Sequence, residues 1–179
     1  MTTTVYCAGP IKETDDPHTW RNELQEDAHE DVELINPLDL HDYADDTPSV
    51  DGPSDRDIVS NDLLKIDQAD ALLVYHPEEC ETWGTPMEML YARQSGKIVV
   101  LGWGSETTVS PWAQVMSHYV SDNPVDGLRY IEAFFQHRST LYPLSGENVS
   151  LFNSVGGDTA LNERVIAPFN GKERVKFHE

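Results

Sequence analysis

A glutamate set one helical turn beyond a buried strand is placed to do chemistry, and Gly84-Thr85-Pro86-Met87-Glu88 offers that arrangement. Gly84 opens a predicted helix just after an apolar run and a polar stretch. The N-terminus of that helix favours the anionic form of a carboxylate. An ionised carboxylate at the mouth of a sheet is suited to attack on a sugar carbon. A glutamate at this position also serves simply to stabilise the helix macrodipole, and spacing alone leaves both readings open. Asp62 is the second carboxylate of interest. It lies in the helix before the apolar run, whereas Asp67 and Asp70 end that helix and start the strand and are expected to face solvent. Asp62 can instead project toward the same pocket. In a chain with thirty-two Asp and Glu, such a pair is a weak signal by itself.

Other constellations carry less. His76 and Cys80 stand four residues apart, but Cys80 has no partner pair of the kind a metal site needs, and no metal is expected. Trp83, Trp103 and Trp112 flank the predicted pocket loops, where stacking on a base and ordinary packing are both open. Gly102-Trp103-Gly104 is not a nucleotide fingerprint. Cys7 and Cys80 are the two cysteines, too few for a disulfide framework, and each reads as a small buried hydrophobe.

The elements that must position these residues follow from pattern. Thr3–Ala8 is β-branched and aromatic and stops at Gly9-Pro10, which predicts a strand and a turn. Trp20, Leu24 and Ala28 make a helical stripe within His18–His29. Val32–Ile35 is a short strand ended by Asn36-Pro37. Leu38–Pro53 is a long acidic loop, of a length often used for lids. Ser54 caps a helix running to Asp67. Ala69–Tyr75 and Lys97–Leu101 are buried strands, separated by a polar loop from His76 to Trp83 and by a helix over Gly84–Ser95. That helix has Met87, Leu90 and Tyr91 on its expected inner side and Gly96 as its C′ residue. His118–Val120 is a candidate fifth strand. Val125–His137 is a final helix with Leu128, Ile131 and Phe135 as its stripe.

Continuous apolar strands alternating with amphipathic helices predict an α/β fold: a small, doubly wound, Rossmann or flavodoxin-like parallel sheet of about five strands, with helices on both faces. Ligands of such sheets bind beyond the carboxyl ends of the strands. That directs attention to Tyr6–Lys12, Asn36–Asp39, His76–Glu88 and Gly102–Gly104. The expected domain spans 1–144, and 145–179 reads as a peripheral extension.

A net charge of −20, from twelve Lys and Arg against thirty-two Asp and Glu, repels polynucleotides and anionic membranes. It suits a protein of a salty, halophilic cytoplasm. Met1–Val5 lacks the pattern of a signal peptide, and no apolar run reaches the roughly 20 residues of a membrane span. A soluble cytoplasmic protein is expected.

The ordered set of motifs resembles the nucleoside 2-deoxyribosyltransferase family, which includes 2′-deoxynucleoside 5′-phosphate N-hydrolases. It consists of Val5-Tyr6-Cys7-Ala8-Gly9-Pro10-Ile11, Asn36-Pro37, Asp62 eight residues before Asp70, and Gly84-Thr85-Pro86-Met87-Glu88 followed by Ala92, Gly96 and Lys97. The resemblance covers about residues 3–137. It implies that Glu88 is a nucleophile forming a glycosyl ester, that Tyr6 orients that carboxylate, and that Asp62 assists the departing base. Gly9 and Gly84 would let backbone approach the sugar, with Pro10 and Ile11 beside them. The transferases tend to carry an aspartate six residues before the nucleophile, to bind a 5′-hydroxyl. Here that position is Thr82, next to Glu81, and a hydroxyl there suits a 5′-phosphate. Lys12 could offset phosphate charge. The resemblance also implies a homodimer or larger homo-oligomer whose sites are completed across an interface. Asn123, in Ser121-Asp122-Asn123, is the candidate for that role, and a turn-forming Asn before Pro124 is the alternative. The implied partners are a nucleoside or nucleotide and a free nucleobase, with no cofactor. Transfer to a base, strict N-hydrolysis of a 5′-monophosphate, and a non-catalytic nucleotide sensor are the three readings carried forward.

Overall fold

The computed structural model describes residues 2–11, 16–40, 54–77 and 82–141. Lys12, Cys80, Glu81, most of the long acidic loop and the expected extension 145–179 lie outside the described residues. The elements run β1 (Thr3–Ala8), α1 (Thr19–Asp27), β2 (Val32–Ile35), a 3-10 turn (Pro37–Asp39), α2 (Asp55–Gln68), β3 (Ala71–His76), α3 (Gly84–Gln94), β4 (Ile98–Trp103), α4 (Pro111–Met116), β5 (Tyr119–Ser121) and α5 (Pro124–Leu141). They belong to a compact unit over Met1–Leu141.

All four strand pairings are parallel, and the sheet order is β2-β1-β3-β4-β5. This is the flavodoxin-like order, as the alternation of apolar strands and helices predicts. In that order the connections reverse direction between β1 and β3, which opens a crevice at their carboxyl ends.

Alternation along the strands divides the core in two. Val5, Cys7, Ala71, Leu73 and Val100 face α1 and α5, where they meet Trp20, Leu24, Leu128 and Ile131. Tyr6, Ala8, Leu72, Val74, Val99 and Leu101 face the opposite layer, where they meet Ile66, Met89 and Ala92. Both faces of the central strands are covered, so these strands read as unbroken apolar runs.

Local chemistry sets the element ends. Ser54 caps α2 in a capping box: its side chain accepts from the Asp57 amide while the Asp57 carboxylate accepts from the Ser54 amide. Asp70 pins the start of β3 to β1, because its carboxylate accepts from the Thr4 amide at 2.9 Å and its amide donates to the Thr4 carbonyl at 2.8 Å. The Lys97 ammonium donates to the carbonyls of Asp67 and Ala69 at the carboxyl end of α2. Gly96 has φ +75°, the left-handed conformation that closes α3.

The expected inner face of α3 needs correction. Met87 and Leu90 are exposed, and the residues turned to the sheet are Thr85, Met89 and Ala92. Thr85, Met89 and Ala92 recur at helical spacing and form the stripe beneath the helix, and Met87 and Leu90 fall outside that stripe. Two smaller departures accompany it. His76 belongs to β3, and Pro111–Met116 forms a helix within what reads as a loop.

Candidate active site

The carboxyl ends of β1 and β3 carry the groups that the sequence singles out. Tyr6 is fully buried in β1 with its ring toward α2 and α3, and its hydroxyl donates to Glu88 Oε1 at 3.3 Å. Glu88 lies in the second turn of α3 and is half-buried. Burial, followed by the negative charge of Asp62 on α2, pushes its pKa up to about 7. The Tyr6 hydrogen bond and the charge of Arg21 act in the other direction. Desolvation and the like charge of Asp62 thus act against the ionised form that the helix N-terminus favours. One turn inside the helix the dipole has faded, and desolvation and like charge outweigh it.

Tyr6 on β1 and Glu88 on α3 meet through this hydrogen bond, and Asp62 on α2 lies within electrostatic reach of Glu88. The nearby glycine turn follows β1. A Cβ on Gly9 would meet the Tyr75 carbonyl oxygen at 2.6 Å and the Trp20 ring at 3.1 Å, so close packing of the turn against β3 and α1 requires glycine there. Pro10 is buried beside it and Ile11 is half-buried. Gly84 differs: a Cβ there would enter open space. The Thr82 hydroxyl lies 3.5 Å from that of Thr85, at the start of α3.

Asn123 is engaged locally. Its Oδ1 accepts from the Asp126 amide at 2.9 Å and its Nδ2 donates to the Asp126 carboxylate at 2.7 Å, which caps α5. Of the tryptophans, Trp103 stacks on His76 with ring centroids 4.9 Å apart, whereas Trp83 and Trp112 are about four-fifths exposed. Cys7 is buried, and burial pushes its thiol up to about 12, which leaves it an inert hydrophobe.

Arg21 is the residue that sequence reasoning missed. It sits on α1, on the other face of the sheet from Glu88, and is 3% exposed. Its Nε donates to the Cys7 carbonyl at 3.3 Å, its Nη2 to Gly9 at 3.2 Å and its Nη1 to Pro17. The guanidinium also lies 4.2 Å from the Trp20 ring centroid. Its one visible signal is a place beside Trp20 on the buried stripe of α1.

No family model matches the chain, and no curated protein matches it. Solved structures do. A 2-deoxyribosyltransferase from Bacillus psychrosaccharolyticus aligns with a TM-score of 0.56 and 18% identity, over 74% of this chain and 95% of that one. The chain has a nucleoside 2-deoxyribosyltransferase-like fold. A conserved protein from Enterococcus faecalis V583 aligns with a TM-score of 0.48 and 16% identity, over 79% of this chain and all of that one. Among the described residues of this transferase-like fold, no helix is long and apolar enough to cross a membrane.

Proposed function

We propose that the chain breaks the N-glycosidic bond of a (2′-deoxy)nucleoside or its 5′-monophosphate by two displacements at Glu88. The observation that carries this reading is the Tyr6–Glu88 hydrogen bond, with Asp62 in electrostatic reach, at the switch point of a transferase-like sheet. Ionised Glu88 attacks the anomeric carbon. The bond from that carbon to the base nitrogen breaks, and its electron pair leaves with the base. Asp62 assists protonation of the departing ring, relaying to it the proton that Glu88 gives up on ionising. A second base or water then attacks the glycosyl ester from the opposite face, which frees Glu88, and Asp62 recovers a proton from the incoming group. Two inversions give net retention.

The Tyr6 hydroxyl fixes the carboxylate and stabilises its anionic form. Gly84 leaves room for the sugar. Thr82 and Lys12 favour a 5′-phosphate, and Gly9, Pro10 and Ile11 shape the floor. No organic cofactor or metal is called for by this chemistry. A protein of this kind works in the cytoplasm, and the acidic surface suits high salt.

The protein acts as a homodimer, and the face that supports this is α3 with α4. Trp83, Met87, Leu90, Trp112 and Val115 are exposed there. Residues 82–121 carry only Glu88 and Glu106 against Arg93 and Lys97, whereas the whole chain stands at −20. A second copy, equally acidic, can approach on that neutral apolar ground without repulsion. Asn123 is then a candidate to reach the neighbour's substrate.

Product chromatography tests the chemistry. Deoxynucleosides and their 5′-monophosphates are incubated with and without a second free base, alongside Glu88→Ala. A new nucleoside establishes transfer, and free base with sugar phosphate establishes hydrolysis. Absence of any Glu88-dependent product overturns the reading in favour of a nucleotide sensor.

A further inference from the structure

We infer that His118 is an acid-sensitive latch that fastens the edge strand β5 to β4, and that uptake of a second proton by its ring releases the start of that strand. The inference goes beyond the function proposed above and stands whether or not that function holds.

A matched pair of clasps carries it. Asp70 stands immediately before β3; its amide donates to the Thr4 carbonyl at 2.8 Å, and its carboxylate accepts from the Thr4 amide at 2.9 Å. His118 stands immediately before β5 and does the same to β4. Its amide donates to the Val99 carbonyl at 2.7 Å, and its Nδ1 accepts from the Val99 amide at 2.9 Å. The pairing of β4 with β5 begins one step later, at Val100 and Tyr119, so the imidazole supplies the acceptor that a strand carbonyl would. The two clasps differ in that acceptor. A carboxyl group keeps an accepting oxygen in either protonation state, whereas an imidazole with two protons has no acceptor left. The amide of Val99, a fully buried residue, would then face another donor, and an unpaired buried amide is costly.

The surroundings oppose the second proton. From α3, the Arg93 guanidinium stands against His118 Nε2. The other ionisable groups of α3 are engaged elsewhere, Glu88 with Tyr6 and Tyr91 with Asp67. β4 and α4 carry no ionisable side chain. Tyr119 of β5 turns to Tyr130 of α5, with ring centroids 4.4 Å apart. Among the described residues, a charged His118 thus meets a cation on α3 and no compensating carboxylate. Burial, followed by the charge of Arg93, holds its pKa down to about 4. The latch therefore stays closed at neutral pH and opens in acid. β5 leads into the Ser121-Asp122-Asn123 turn, so opening frees the strand that places Asn123.

Amide hydrogen exchange of the full chain, followed from about pH 7.5 to about pH 5, tests this. The readout is the protection of the Val99 amide relative to that of Thr4, so that global unfolding cancels. Below about 6.5, where a released ring takes up its proton, the ratio should fall roughly tenfold per pH unit. His118→Asn offers an accepting oxygen that does not titrate, and it should hold the ratio level. A level ratio in the wild-type protein overturns the inference, as does a fall that persists in His118→Asn. Should His118→Asn fail to fold, the imidazole nitrogen-15 resonances of the wild-type protein still decide. At neutral pH the ring should carry its proton on Nε2 and leave Nδ1 bare; a proton on Nδ1 overturns the latch.

Discussion

The Tyr6 hydroxyl donates to Glu88 Oε1 at 3.3 Å from a ring that is itself completely buried. A long bond of this kind in a ligand-free site is expected to tighten as charge develops. Tyr6→Phe removes the donor and keeps the ring. The apparent pKa of Glu88 should rise above about 7, and kcat/KM below neutral pH should fall roughly 10- to 100-fold, the worth of a hydrogen bond to a charged group. A pH–rate profile with an unmoved acidic limb would count against the orienting role.

Glu88 also sets a stability prediction. Its pKa in the folded chain is about 7, against 4.5 for the free side chain. The folded state therefore holds the proton more tightly, and this contribution is whole below pH 4.5 and is lost as pH rises through about 7. Glu88→Gln should match wild type near pH 4.5 and exceed it at pH 8, by at most about 3 kcal/mol and by less once solvent at the pocket mouth is allowed for. His118, held down to about 4 by burial and by Arg93, titrates with the opposite sign. It is common to both proteins and cancels in the difference. Chemical denaturation at the two pH values is the check, and a constant difference would refute the linkage.

Gly9 and Gly84 should behave differently. Gly9→Ala drives a Cβ against the Tyr75 carbonyl, and a loss of about 1–3 kcal/mol is expected, seen as a lower Tm. Gly84→Ala enters open space and should leave Tm unchanged or slightly raised. If the sugar lies against Gly84, the same change raises KM in a protein of intact stability. An unaltered KM would remove Gly84 from the site.

Leu90 and Val115 stand exposed on α3 and α4. The double variant Leu90→Asp, Val115→Asp should turn the dimer into a monomer in light scattering at fixed salt, with its circular dichroism unchanged. A monomeric wild-type protein would dismiss the proposed interface.

The fold was legible where burial on two faces left no choice of residue. Ala71–Val74 and Val99–Leu101 are apolar throughout because both surfaces of the sheet are covered. Ser54 announced its helix through a cap that needs only local chain. Pro111–Met116 did not, because six residues give no period to read. The inner side of α3 is hard to read because Met87 and Leu90 rank high in hydrophobicity, while the phase of the helix turns Thr85, Met89 and Ala92 to the sheet. Glu88, Asp62 and Tyr6 stand out in the sequence as an ordered set of motifs, and the fold joins Tyr6 to Glu88. Arg21 does not stand out, because its meaning lies in three carbonyls whose convergence exists only in the folded turn. The upward push on Glu88 is not legible for the same reason: the helix end is local, but burial and Asp62 are not.

Tyr6 belongs at once to the interior and to the hydrogen-bonded pair it forms with Glu88. Whatever loosens the packing between β1 and α3, whether heat, pressure or a substitution at Met89, must also alter how firmly Glu88 is held. The proton affinity of one carboxyl group thus becomes a gauge of interior order. Repacking this layer for greater ruggedness would retune that affinity in the same stroke.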